Sequence, residues 1–129
     1  MTQSVMSIRL GTNDTVKAAA FYDATFAALG WEGLRREANG SLFYSLPGGP
    51  VFIIAPPRDG QAATSGNGTT YGFNAPDAAA VDRWHAAALA LGGSCEGPPG
   101  PRPMAGGRYG AYLRDPDGNK FCAYAPAGG

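Results

Sequence analysis

Histidine and cysteine are scarce in this chain of 129 residues: there is one histidine, His85, and two cysteines, Cys95 and Cys122. A single imidazole falls short of the two or more that most divalent-metal sites of the His/carboxylate type take. Two thiols are too few for a disulfide framework, so both read as reduced thiols of a cytoplasmic protein. Charge is also sparse. Charged residues make up 16%, and Lys+Arg and Asp+Glu are 10 each, for a formal net charge of zero. That balance gives no broad basic face for nucleic acid or a membrane surface. No apolar run approaches the roughly 18–20 residues needed to cross a bilayer. The opening stretch, Met-Thr-Gln-Ser-Val-Met-Ser-Ile-Arg, lacks the basic start and apolar run of a secretory signal.

Glycine and proline are plentiful instead, at 20 and 11, and predict many turns. A hydrophobic fraction of 44% suits a globular chain. The length allows one compact domain over residues 1–129, or two small modules sharing a core. Met6 to Leu10 reads as a strand. Asn13 or Asp14 caps a helix over Ala18–Leu29, with Phe21, Phe26 and Leu29 on one face and Gly30 as its stop. Trp31 to Glu37 is a weak strand, and Asn39-Gly40 signals a hairpin turn. Ser41 to Leu46 and Val51 to Ala55 follow as strands. Residues 56–68 are polar and rich in breakers, so they read as a loop or linker.

The order then repeats. Thr69 to Asn74 is a strand, Asp77 begins a helix over Ala78–Leu91, and Ser94 to Glu96 begins another strand. Gly97 to Gly107 reads as a Gly/Pro-rich loop. A closing hairpin joins Tyr109–Arg114 to Lys120–Tyr124 around Asp115-Pro-Asp-Gly-Asn119, where Pro116 fixes φ and Gly118 supplies a positive one. Strand, helix and about three strands therefore occur twice, and both helices end in Leu-Gly. This is a weak internal repeat.

The closing hairpin resembles that of the vicinal oxygen chelate superfamily, which holds the glyoxalases, bleomycin-resistance proteins and extradiol dioxygenases. Phe21-Tyr22, Gly68-Thr-Thr-Tyr-Gly-Phe73, Ala75-Pro-Asp77, Gly97-Pro-Pro-Gly100 and Tyr109-Gly-Ala111 carry the likeness along nearly the whole chain. The resemblance implies an α+β fold of two βαβββ modules, their curved mixed sheets forming an open cup. Module one would span about residues 4–56, the linker 57–68 and module two 69–126. It also implies a homodimer. Metal-using relatives place His and Glu ligands on four strands. Those positions correspond here to Ser7, Ile53, Thr70 and Cys122, which lack imidazole and carboxylate alike. The expectation is a site with no metal and no other cofactor, holding a small organic ligand. A metal-independent lyase or isomerase, or a divergent metal-dependent enzyme, stands as the alternative.

Cys122 and Tyr112 are the catalytic candidates, should there be a reaction. A thiolate at Cys122 would be a nucleophile if a cation lowered its pKa. The plainer reading is a small apolar residue filling space. If the hairpin closes symmetrically, Tyr112 pairs with Cys122 and shares a face with Tyr124, giving an aromatic wall or merely strand aromatics. Arg9, in phase with Ser7, would face the cup and hold a carboxylate or phosphate, or else sit on its rim. His85 reads as a helix-packing residue, and Asp115 and Asp117 as turn residues. The 97–108 segment, with Arg102, Met104 and Arg108, reads as a loop that covers the site or lies free on the surface. The expected ligand wall is thus Ser7, Arg9, Ile53, Thr70, Tyr112, Cys122 and Tyr124.

Overall fold

The computed structural model describes residues 4–127. Its order is β1 (Ser7–Gly11), α1 (Thr15–Ala28), β2 (Arg35–Ala38), β3 (Ser41–Ser45), β4 (Val51–Ala55), β5 (Tyr71–Asn74), α2 (Ala78–Ala90), β6 (Ser94–Arg102), β7 (Arg108–Arg114) and β8 (Lys120–Tyr124). Two four-stranded sheets result, in the orders β1-β4-β3-β2 and β5-β8-β7-β6. In each, the first strand of the module runs parallel to its last, and the other pairs are antiparallel. The internal repeat is therefore a repeat of topology, and the α+β fold of two βαβββ modules is present.

Local chemistry explains most boundaries. Asp14 caps α1 by accepting from the Lys17 amide, and Asp77 caps α2 by accepting from Ala80. Asn39 and Gly40 both have positive φ, as a tight two-residue hairpin requires. The Asp115–Asn119 turn closes through Asp115 N–H to Asn119 O and Gly118 N–H to Asp115 O, each 2.9 Å.

The first helix begins at Thr15 rather than Ala18 and β5 at Tyr71 rather than Thr69, and two further elements depart more from the sequence expectation. The strand expected from Trp31 begins only at Arg35, because Trp31 is drawn onto the core beside Phe26 and Phe73. The 97–107 segment is no loop as far as Arg102. It continues β6, with irregularities between Cys95 and Gly97 and between Gly97 and Gly100. A 3-10 turn over Pro103–Ala105 then leads to β7. Pro98, Pro99 and Pro101 lack a donor, but β6 is an edge strand, where a missing N–H on the outer side costs no ladder bond.

One face of each sheet turns inward. Leu42, Tyr44, Phe52 and Ile54 of the first sheet and Phe73, Ala111, Leu113 and Phe121 of the second join Phe21, Tyr22, Phe26, Val81 and Trp84 of the helices in a single core. Phe52 lies 6.0 Å from Phe121 and Tyr22 lies 6.0 Å from Phe121 between ring centroids, so the modules share aromatic contacts. Each such pair adds about 0.5–1.5 kcal/mol beyond burial of area.

Candidate functional site

Strand alternation leaves one open face on each sheet. On the first sheet Arg9 pairs with Ile53, Ile53 with Phe43, and Phe43 with Arg36. Ser7, two residues before Arg9, shares this face and is exposed. The Arg36 guanidinium lies 4.5 Å from the Phe43 ring centroid. The Arg9 guanidinium reaches the Pro56 carbonyl at 3.3 Å.

On the second sheet Gly72 pairs with Cys122 and Cys122 with Tyr112. Tyr124 follows Cys122 by two and faces the same way. The Tyr112 and Tyr124 hydroxyls are hydrogen-bonded at 2.8 Å, their rings set edge to face at 85°. Tyr124 lies flat over Gly110, where a Cβ would come within 2.5 Å of its ring, so glycine is what admits the tyrosine. Thr70 is exposed and just outside β5, two residues before Gly72.

The seven residues expected to line one cup therefore form two groups. Ser7, Arg9 and Ile53 share the open face of the first sheet. Thr70, Tyr112, Cys122 and Tyr124 belong to that of the second. No hydrogen bond, ion pair or aromatic contact among the described residues joins one group to the other. The reason is the shared core: because both sheets turn their helix-covered faces to the same interior, their open faces look outward.

The electrostatics of the second face bear on chemistry. The Tyr112 hydroxyl is pushed up to about 12, first by its bond with Tyr124 and then by burial. Burial also raises the Cys122 thiol, with Tyr112 and Lys120 pulling the other way. Both groups keep their protons near neutral pH. Lys120 and Arg102 flank the Tyr112 ring, at 5.7 and 5.9 Å from its centroid, and Arg108 lies 5.4 Å from that of Tyr124. Glu96 pairs with Arg114 at 3.5 Å and with Lys120 at 3.8 Å. These are partly exposed pairs and contribute little stability.

A metal does not fit these positions. Ser7 and Thr70 offer neutral hydroxyls, Ile53 offers no lone pair, and Cys122 is a single thiol, which alone does not make a site. Among the described residues no three of His, Cys, Asp or Glu gather as a ligand set. His85 is buried on α2, where Nε2 lies 3.2 Å from the Cys95 sulfur, and burial lowers its pKa.

Sequence reasoning missed Phe43, Arg36, Lys120 and the placement of Arg102. Alternation along β3 and β8 was the available signal for Phe43 and Lys120. For Arg102 there was none, since its position depends on β6 continuing through prolines. Asp115 and Asp117 are more than turn residues. Asp115 accepts from the buried Tyr22 hydroxyl, and Asp117 accepts from Thr12 Oγ1 at 2.6 Å and the Asn13 amide at 2.9 Å.

Of the expected site residues, Arg9 borders a cleft, with Asp59 and Ala63, and other clefts lie away from them. One of about 500 Å3 opens between the start of α1 and the β2–β3 hairpin, lined by Val16, Ala19, Arg35 and Leu42 among others. It includes none of the expected site residues.

Comparisons with known proteins agree with this architecture. A glyoxalase/bleomycin resistance protein from Albidiferax ferrireducens T118 is 43% identical, with a TM-score of 0.88 over 96% of this chain and 100% of that one. A lactoylglutathione lyase from Agrobacterium tumefaciens is 25% identical, with a TM-score of 0.65 over 96% of this chain and 94% of that one. A fosfomycin resistance protein from Mesorhizobium loti is 19% identical, with a TM-score of 0.70 over 98% and 94%, a likeness of fold. The search of curated proteins gave no match. The model of the Glyoxalase/Bleomycin resistance protein/Dioxygenase superfamily matches residues 4–123, nearly the whole two-module chain, and the protein belongs to that superfamily.

Proposed function

We propose that this protein binds a small organic molecule on its open sheet faces without a divalent metal, and that two copies form the working unit. The observation that carries the reading is the Tyr112–Tyr124 pair beside Cys122. It is a half-buried wall of two aromatic rings with hydroxyls to orient a ligand. The donor set of Ser7, Ile53, Thr70 and Cys122 supports the metal-free part. Sequestration of the bound compound is the role this reading assigns.

The outward faces support the two-chain unit. Each chain offers two half-sites that do not meet. A second copy related by a two-fold axis would lay its first sheet over this chain's second, closing two equivalent cups at once. Open sheet faces carrying Ile53, Phe43, Tyr112 and Tyr124 would be covered by that pairing.

A metal-independent lyase or isomerase acting through Tyr112 or Cys122 is the second reading. Both groups hold their protons near neutral pH, which favours binding over acid–base or nucleophilic work. A divergent metalloenzyme would need ligands that this donor set does not supply.

Ligand-observed NMR with a library of small aromatic compounds tests the reading. Binders should shift the resonances of Tyr112, Tyr124 and Cys122 and remain chemically unchanged. Consumption of a binder, lost in Cys122→Ser while binding persists, would replace the binding role with the enzymatic one.

A further inference from the structure

The chain is neutral overall, yet its charges are sorted by face. Arg9 and Arg36 lie on the open face of the first sheet, and Arg102, Arg108, Arg114 and Lys120 on that of the second. Glu96, held by Arg114 and Lys120, is the acidic residue that accompanies them. Most other acids lie elsewhere: Asp14 and Asp77 cap helices, Asp23 and Asp82 lie on helices, Asp115 and Asp117 are in the turn, and Glu37 pairs with Arg35, while Asp59 lines a cleft with Arg9. Such sorting is not needed for folding. Like charges on one face repel, and the arrangement is relieved when an anion sits among them.

The bonding of the cations sharpens the point. Arg102, Arg108, Arg9 and Arg36 have no carboxylate partner within ion-pair distance among the described residues. Arg102 donates to the Pro98 carbonyl and Arg108 to that of Ala125, which fixes each side chain while leaving further N–H groups free. Gly97 makes room for Arg102, since a Cβ there would come within 3.1 Å of Nη2. Arg102 and Lys120 then stand on either flank of one ring, Tyr112. A guanidinium and an ammonium beside an aromatic ring suit a ligand that is both flat and negatively charged.

We infer that the ligand is a planar organic anion, an aromatic or conjugated carboxylate, whose ring packs on Tyr112 and Tyr124 and whose acid group is held by Arg102 and Lys120. The assignment rests on the small-molecule-binding reading and narrows it to one chemical class. It moves the anion contact from Arg9, where the sequence placed it, to the Tyr112 wall. A cationic ligand is disfavoured by the same charges, and a neutral one leaves them unneutralised.

Matched probes separate the two levels of the argument. Calorimetric titration with 2-naphthoate and with 2-naphthamide compares the same ring with and without the charge. The acid should bind at least about tenfold more tightly. Arg102→Gln should weaken the acid by about ten- to one-hundredfold, the scale of a lost charge-assisted hydrogen bond, and leave the amide unchanged. Lys120→Gln is the second variant and should act in the same direction. Arg83→Gln, exposed on α2 away from the face, should change neither. Equal or tighter binding of the amide, or an acid affinity indifferent to both Arg102→Gln and Lys120→Gln, overturns the anion assignment and leaves the binding reading standing. If neither probe nor any other flat acid or amide binds at millimolar concentration, the binding reading fails as well.

Discussion

Tyr22 of α1 donates its hydroxyl to Asp115, across the boundary between the two modules, and both residues are buried. Asp115 also accepts from the Asn119 amide at 2.8 Å, the Asn119 side chain at 3.0 Å and the Asp117 amide at 3.0 Å. One carboxylate therefore builds its own turn and ties that turn to the other module. Replacing Tyr22 with Phe keeps the ring in its aromatic cluster and removes only the donor. The expected loss is about 1–3 kcal/mol, the cost of leaving a buried acceptor short of a partner. Urea denaturation should show the midpoint falling with little change in slope.

The same carboxyl predicts a pH dependence. Burial raises Asp115 above the ordinary carboxylate range, although the bonds from Tyr22 and Asn119 lower it in part. A raised folded value means that the protonated acid suits the fold better than the charged one. Its contribution is fully present below about pH 3.9, the unfolded value, and is lost as pH rises through the higher folded value. Stability curves of the wild type and Asp115→Asn should differ in slope over that interval and run parallel above it. Parallel curves throughout would show that Asp115 titrates normally.

Gly110 underlies the aromatic wall. An alanine there would put its Cβ into the Tyr124 ring, within 2.5 Å, so the ring must swing off the strand and part from Tyr112. Gly110→Ala should destabilise by about 1–3 kcal/mol, as overpacking does, and should weaken ring-bearing ligands. A ligand affinity unchanged in this variant would take Tyr124 out of the wall.

The two thiols should respond differently to alkylation. Cys95 is exposed, whereas Cys122 is half-buried with its pKa raised. Iodoacetamide at pH 8 should modify Cys95 first, and mass spectrometry of the digest would show the order. Cys122→Ser should cost less than about 1 kcal/mol of ligand affinity if the thiol merely lines the wall.

Metal content and mass follow from the proposed function. Protein purified without a chelator or affinity tag should hold well under one equivalent of divalent metal by elemental analysis. One strippable equivalent of zinc, nickel, iron or manganese would overturn the metal-free reading. Light scattering at micromolar concentration should give twice the 13.2 kDa chain mass. A monomer would leave the two half-sites apart.

What the sequence alone determined was local or periodic. Asp14 and Asp77 announce helix starts, because a capping side chain needs only its own next turn. Asp115-Pro-Asp-Gly-Asn119 announces the hairpin, and the hairpin sets Tyr112 against Cys122 by counting. The repeat of strand, helix and three strands carries the two-module fold. Tertiary structure decided everything that depends on which strand becomes an edge and which face turns inward. The edge position lets β6 run through Pro98, Pro99 and Pro101, and that run carries Arg102 to the Tyr112 ring. The shared aromatic core sends the two open faces outward and so parts Arg9 from Cys122. Asp115 reaches Tyr22 across 93 residues of chain. No local pattern encodes such a contact, because it exists only once the two modules have packed.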